Sequence, residues 1–271
     1  MDTQNIWFAF GLTLFAGLST GVGSLIALIT RKTNHQFLAG ALGFSAGVMI
    51  YVSFVEIFSK ARHILNISLG EKEGYIYATL AFFGGILLIG IIDRLVPSFD
   101  NPHEPKDVND FSASDAAEAR RRKLLRMGMF SALAIGIHNF PEGMATFIAA
   151  LNDPALGISI AVAIAIHNIP EGIAVSVPIY FATGSRRKAF FLSFLSGLAE
   201  PVGAIVGYLL LAPYINDMVF GVLFASVAGI MVFISLDQLM PTAEKYGKHH
   251  NAVYGLVAGM GLMALSLLLF V

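Results

Sequence analysis

The chain has 271 residues, 56% of them hydrophobic and 13% charged, with a mean hydropathy of +0.73 and a net charge of −1 at pH 7. Soluble domains carry about 25% charged residues, so this composition excludes a water-soluble globular protein, and no nucleic-acid partner is expected. There are no cysteines, which excludes disulfides and thiolate metal ligands.

Eight apolar runs follow one another, at about 6–29, 37–58, 75–96, 127–151, 157–181, 189–211, 218–240 and 252–271. Each is near the ~20 residues that span hydrocarbon as a helix, and none has the period-two alternation of barrel strands. The expected fold is therefore all-α: eight transmembrane helices in a single domain, 1–271. The first run follows only MDTQN, which has no positive charge, and it is longer than a signal-peptide core, so it is expected to be retained. The second contains AGVM, whose Met49 offers a thioether but by default reads as packing. Between the third and fourth runs lies the one long connection, 97–126, acidic at first and closing in RRRKLLR. It reads as a flexible cytoplasmic loop holding a single His103. Glu56, Asp93 and Asp237 fall near helix ends and His249 and His250 in the last connection, where solvated or ion-paired roles are expected. Fourteen of the 17 Lys and Arg residues sit in the odd-numbered connections, and the even ones hold only Lys60, Arg62 and Lys72. Basic loops stay cytoplasmic, so the odd loops are expected inside and both termini outside.

Internal similarity accompanies this topology. GLSTGVGSLIA at 17–27 aligns without gaps on GLAEPVGAIVG at 197–207, and AGVMIYVS at 46–53 on AGIMVFIS at 228–235. Helices 1 and 2 thus resemble helices 6 and 7 but run in opposite directions, the pattern of an inverted repeat. Helices 4 and 5 remain as a central antiparallel pair, which gives a 3+2+3 arrangement.

That central pair carries the chemistry. HNFPEG at 138–143 returns as HNIPEG at 167–172. His and Glu four residues apart share one helix face, so His138 and Glu142 can grip one ion. Pro141 and Pro170 remove a backbone donor inside the helix, leaving the carbonyls of Ile137 and Ile166 without their usual partner. Counting outward from Pro154, His138 and Glu171 lie 16 and 17 residues away, and Glu142 and His167 12 and 13. His138 should therefore face Glu171, and Glu142 should face His167, in layers roughly 6 Å apart at ~1.5 Å per residue. Asn139 and Asn168 turn about 100° away and can supply neutral oxygens to a neighbouring site. Glu200, halfway along helix 6, lies at the same depth. Each such charge at mid-membrane costs ~2.5–3.5 kcal/mol, and no Lys or Arg lies near that depth in helices 4–6. Protons or a metal dication must offset it. Nitrogen and carboxylate ligands without sulfur suit Zn²⁺, Fe²⁺, Mn²⁺ or Co²⁺ better than Ca²⁺ or Cu⁺.

At these residues the chain resembles the ZIP (Zrt/Irt-like) divalent metal transporters, nearest the bacterial ZupT or GufA-type branch. HNFPEG, HNIPEG, GLAEPVG and AGVM carry the resemblance, which extends over nearly the whole sequence. It implies the same eight-helix 3+2+3 inverted repeat, termini outside, and metal carried into the cytoplasm through a binuclear site between helices 2, 4, 5 and 6. A first site would take Met49, His138, Glu142 and Glu171, and a second Asn139, Asn168 and Glu200, with Glu142 and Glu171 shared. Some members carry Asp where this chain has Asn168, which leaves the second site here one charge poorer. His167 is not among the family's usual primary ligands.

The expectation is thus a multi-pass cell-membrane transporter, not an enzyme, with no resident cofactor. Zn²⁺ is the first-choice substrate, with Fe²⁺, Mn²⁺, Co²⁺ and Cd²⁺ also suited; divalent ions and the lipid bilayer are its partners. Helix 3 or 8 is the candidate face for a homodimer. The rival is an intramembrane metal-dependent hydrolase, which lacks an HExxH motif here.

Overall fold

The structure, a computed structural model, describes residues 3–29, 35–95, 113–211, 214, 216–247 and 249–268, and within them the regular elements are all helical. Eight helices follow in chain order: α1 Thr3–Ile29, α2 35–69, α3 Glu71–Leu95, α4 Ala113–Asn152, α5 Pro154–Thr183, α6 186–211, α7 217–246 and α8 His249–Leu268. Seven contain a stretch long and apolar enough to cross a membrane. Among the described residues the exception is α4. This is a multi-pass, all-α membrane protein.

Local chemistry sets the ends. Asp153 accepts from the amides of Ala155 and Leu156 at 3.0 and 3.2 Å, and Pro154 occupies the first helical position, so a single residue separates α4 from α5. Gly184, at φ 66°, closes α5 in the left-handed region that glycine tolerates best. Ser185 and Asn216 cap the starts of α6 and α7 through the amides of Lys188 and Val219. Two helices carry π-helical turns, α2 at Val52–Phe58 and α7 at Ser235–Leu239, each beginning within about a turn of the methionine of one AGxM copy.

Two boundaries stand out against the sequence expectation. α2 continues to Leu69, through Lys60, Arg62 and His63, since a helix does not end where its apolar run does. α4 begins at Ala113, inside the 97–126 stretch expected as a loop, because Ala, Glu, Arg, Lys and Leu are strong helix formers. The remainder of that stretch, with His103, lies outside the described residues. Both α4 and α5 also run on as continuous helices through Pro141 and Pro170.

Among the seven helices with such a stretch, α5 is the most enclosed, with 72% of it buried, against 22% for α3 and 17% for α8. It packs on α1, α4, α6 and α2, while α6 lies along α4. Outside this group, α8 packs on α2 and α3 on α7. The helices thus form two groups, α1 with α4–α6 and α2 with α3, α7 and α8, joined where α2 meets α5 and α7 meets α4. One apolar core draws residues from all eight, from Ala9 and Leu42 to Phe224 and Met263. Within the first group, backbones touch. A Cβ on Gly143 would overlap the carbonyl of Glu200, one on Gly172 that of Thr20, and Gly17 and Gly197 abut each other's carbonyls. Small residues of this kind are what close packing of membrane helices requires.

Candidate metal centre

Seven of the eight residues singled out from the sequence form one buried polar cluster where α4, α5 and α6 meet. His138, Asn139, Glu142, His167, Asn168, Glu171 and Glu200 are all buried. The crossed pairing expected from the hairpin is present: His138 Nε2 lies 3.2 Å from Glu171 Oε2, and His167 Nε2 3.4 Å from Glu142 Oε2. Asn168 Nδ2 donates to Glu200 Oε1 and, at 2.9 Å, to the carbonyl of Ala16 on α1. Asn139 Nδ2 donates to the carbonyl of Ser196 at 3.2 Å.

Much of this cluster's acceptor capacity is unused. Glu142 Oε1, Glu171 Oε1, Glu200 Oε2, Asn139 Oδ1 and Asn168 Oδ1 are buried and have no hydrogen-bond partner. Leaving such oxygens unmatched costs about 1–3 kcal/mol each, more when charged. Among the described residues no Lys or Arg pairs with the three carboxylates. Nor do three His, Asp or Glu side chains already converge into a ready shell. The donors are held in His–Glu pairs instead, so gripping one ion takes side-chain rotation and the breaking of those pairs. The donor set, imidazole nitrogen with carboxylate and amide oxygen, fits a borderline divalent cation.

Met49 stands on a different helix. It is fully buried in α2, one turn beyond Ser45, whose hydroxyl donates to the carbonyl of His167 at 3.1 Å. Residues one turn apart share a face, so Met49 lies on the α2 face toward α5.

Several supporting residues carried no signal in the sequence. Ser24 and Ser193 both donate to the carbonyl of Gly172 at 3.2 Å, tying α1 and α6 to the HNIPEG turn. Thr146 Oγ1 donates to the carbonyl of Glu142 at 2.9 Å. A lone hydroxyl on an apolar helix looks the same whether it braces a site or bonds its own backbone, so only the fold singles these out. The residues expected to be solvated are peripheral: Glu56 pairs with Lys60 at 3.5 Å, and exposed His249 with Glu244 at 2.6 Å.

Residues 98–267 match the model of the family described as ZIP zinc transporter. Curated relatives span essentially the whole chain. The zinc transporter ZupT of Chlorobaculum parvum is 62% identical over 271 residues, covering 99% of each chain. That of Nitratidesulfovibrio vulgaris is 62% identical, covering 100% of this chain and 99% of its own. That of Streptococcus mutans is 61% identical, covering 99% and 100%. At this length and identity, with the duplicated motif at the centre of the bundle, the chain belongs to the ZIP family, in its ZupT branch.

Proposed function

We propose that this protein carries divalent transition metal, Zn²⁺ first, across the cell membrane into the cytoplasm through a two-ion site at mid-membrane. The observation that carries this is the set of buried carboxylate and amide oxygens without partners at the heart of a membrane bundle. The zinc transporter names of relatives about 60% identical over the full length support the substrate. The excess of Lys and Arg in the odd loops supports inward basic loops and outward termini.

A 3+2+3 inverted repeat is part of the same reading. Exchanging α1 with α6, α2 with α7, α3 with α8 and α4 with α5 turns the α1–α5 packing into α6–α4, and α2–α8 into α7–α3. The π-helical turns of α2 and α7 fall at corresponding places. Such repeats favour alternating access around a fixed site, with α1 and α4–α6 as one body and the other four helices as its frame.

His138, Glu142 and Glu171 take the first ion, with Met49 and His167 beside it. Asn139, Asn168 and Glu200 take the second, and Glu142 and Glu171 bridge. An imidazole Nε2 that donates to a carboxylate cannot coordinate a cation at the same time, so entry of the ion breaks the His138–Glu171 bond and releases or relocates its proton. The carboxylates offset the ion's lost hydration; on release Glu142 and Glu171 are again bonded to histidine.

The test is flux into proteoliposomes, following Zn²⁺, Fe²⁺ and Mn²⁺ with wild-type protein, Glu142→Ala and Glu171→Ala. Wild type should pass Zn²⁺, and both variants should lose at least about tenfold of that flux while keeping their fold, since a tenfold loss needs only ~1.4 kcal/mol. Tight binding without flux under any gradient would overturn transport.

A further inference from the structure

All but one of the polar residues of the centre have like counterparts under the repeat. His138 answers His167, Asn139 answers Asn168 and Glu142 answers Glu171, but the alignment that carries GLSTGVG onto GLAEPVG sets Thr20 opposite Glu200. Packing carries the correspondence into space. Gly143 abuts the backbone of Glu200, and Gly172 that of Thr20. Asn139 Nδ2 donates to the carbonyl of Ser196, four residues before Glu200, and Asn168 Nδ2 to that of Ala16, four residues before Thr20.

Thr20 is fully buried, and its Oγ1 has no hydrogen-bond partner. This sets it apart from Thr13, Thr79, Thr146 and Thr183, which donate to the carbonyl four residues back at 3.0, 2.8, 2.9 and 2.7 Å. The acceptor Thr20 would use, the carbonyl of Ala16, already receives Asn168 Nδ2 and the Ser19 hydroxyl. The Thr20 side chain instead lies against Gly197, where a Cβ would fall 2.9 Å from Oγ1. Asn139 Oδ1 is likewise buried and without a partner. Under the exchange, Thr20 stands to Asn139 as Glu200 stands to Asn168. The Glu200 carboxylate reaches its asparagine, whereas the Thr20 hydroxyl, two bonds shorter, makes no hydrogen bond to Asn139 Oδ1. A buried water is favoured where two or more polar groups await partners.

We propose that Thr20 holds a water molecule as a sixth ligand of the second ion, on the Asn139 side of the centre, an inference that rests on the two-ion reading of the centre. Asn139, Asn168, Glu142, Glu171 and Glu200 supply five oxygens, and the sixth position is left to an exchangeable neutral ligand. Thr20 is then a positioning residue: it keeps the shell open on one side, as sites that must release or exchange a ligand do, where a second carboxylate would close it.

The experiment is Zn²⁺ titration of the purified protein, together with uptake into proteoliposomes, for wild type, Thr20→Ser, Thr20→Val and Thr20→Glu, each with metal-free melting recorded. Thr20→Ser should match wild type. Thr20→Val, equal in size but without the hydroxyl, should weaken one of two binding equivalents by about tenfold, the range for partners behind a ligand, raising KM with kcat within about twofold. Thr20→Glu should tighten that equivalent by about tenfold, since affinity follows ligand charge, and should lower kcat. Wild type binding two ions with Thr20→Val unchanged, or Thr20→Ser failing along with Thr20→Val, would overturn the proposal and leave the centre standing. Wild type binding no Zn²⁺ would overturn the two-ion centre itself, and the sixth ligand with it.

Discussion

Helices α5 and α8 are both apolar enough to cross the membrane, and they solve opposite problems. α5 has 72% of its apolar stretch buried and carries His167, Asn168, Glu171 and two interior prolines; α8 has 17% buried and no charged residue within its span. α8 presses its glycine edge, Gly255 and Gly259, onto α2 and leaves Tyr254, Val257, Leu265 and Leu268 exposed. The polar groups of α5, which hydrocarbon would not tolerate, thus sit on a helix that is largely enclosed by its neighbours. Enclosure, not mean hydropathy, decides where charge can sit.

The sharpest way to break this contrast is to put the same side chain at a glycine on each helix. Gly172→Leu would drive a side chain into the backbone of Thr20, whereas nothing lies within 4 Å of a Cβ at Gly261 on α8. Gly172→Leu should abolish recovery of folded protein, since overpacking costs about 1–3 kcal/mol and more where only backbone can yield. Gly261→Leu should be recovered and melt like wild type. Size-exclusion yield and melting temperature in detergent read both outcomes, and equal behaviour would mean that α5 is no more tightly enclosed than α8.

A smaller effect divides the polar centre itself. Glu200 lies on α6 and meets Asn168 alone, whereas Glu142 and Glu171 each pair with a histidine. Glu200→Gln should lower Zn²⁺ stoichiometry by one equivalent and weaken uptake by about tenfold, near 1.4 kcal/mol. Retention of both equivalents, measured by titration, would show that Glu200 braces Asn168 rather than holding an ion.

How much of this was legible in the sequence follows from the same contrast. Apolar runs located all eight helices, because span length is fixed by the hydrocarbon. The His138–Glu171 and His167–Glu142 pairings followed from counting outward from Pro154, because a helical hairpin turned by one residue leaves little freedom in register. What escaped were helix ends that outrun the apolar stretch, at Leu69 of α2 and Ala113 of α4, the π-helical turns, and features set by neighbours, the serines that bind the Gly172 and His167 carbonyls. Hydropathy reports where lipid is; it does not report where a helix outlasts the membrane or which hydroxyl meets another helix. Pro141 and Pro170 each remove a backbone donor inside the helix, as expected, and α4 and α5 stay continuous through them. A helix held on several sides has little room to bend.

The mildest test falls on the seam between the two helix groups. Ser45 on α2 donates to the carbonyl of His167 at 3.1 Å, a carbonyl that within α5 also faces the amide of Glu171. Ser45→Ala removes one hydrogen bond worth about 1 kcal/mol without touching a proposed ligand. If α2 belongs to a frame against which α5 moves, that bond steadies one position of the moving group and is not needed to hold the ion. Zn²⁺ affinity should then stay within about twofold, while uptake at saturating metal changes by a few-fold, as a shift of about 1 kcal/mol in one state permits. Affinity falling as far as in Glu142→Ala, with uptake lost in parallel, would instead make the α2–α5 contact part of the binding shell, and the division of the bundle into a polar group and a frame would fail at its closest point of contact.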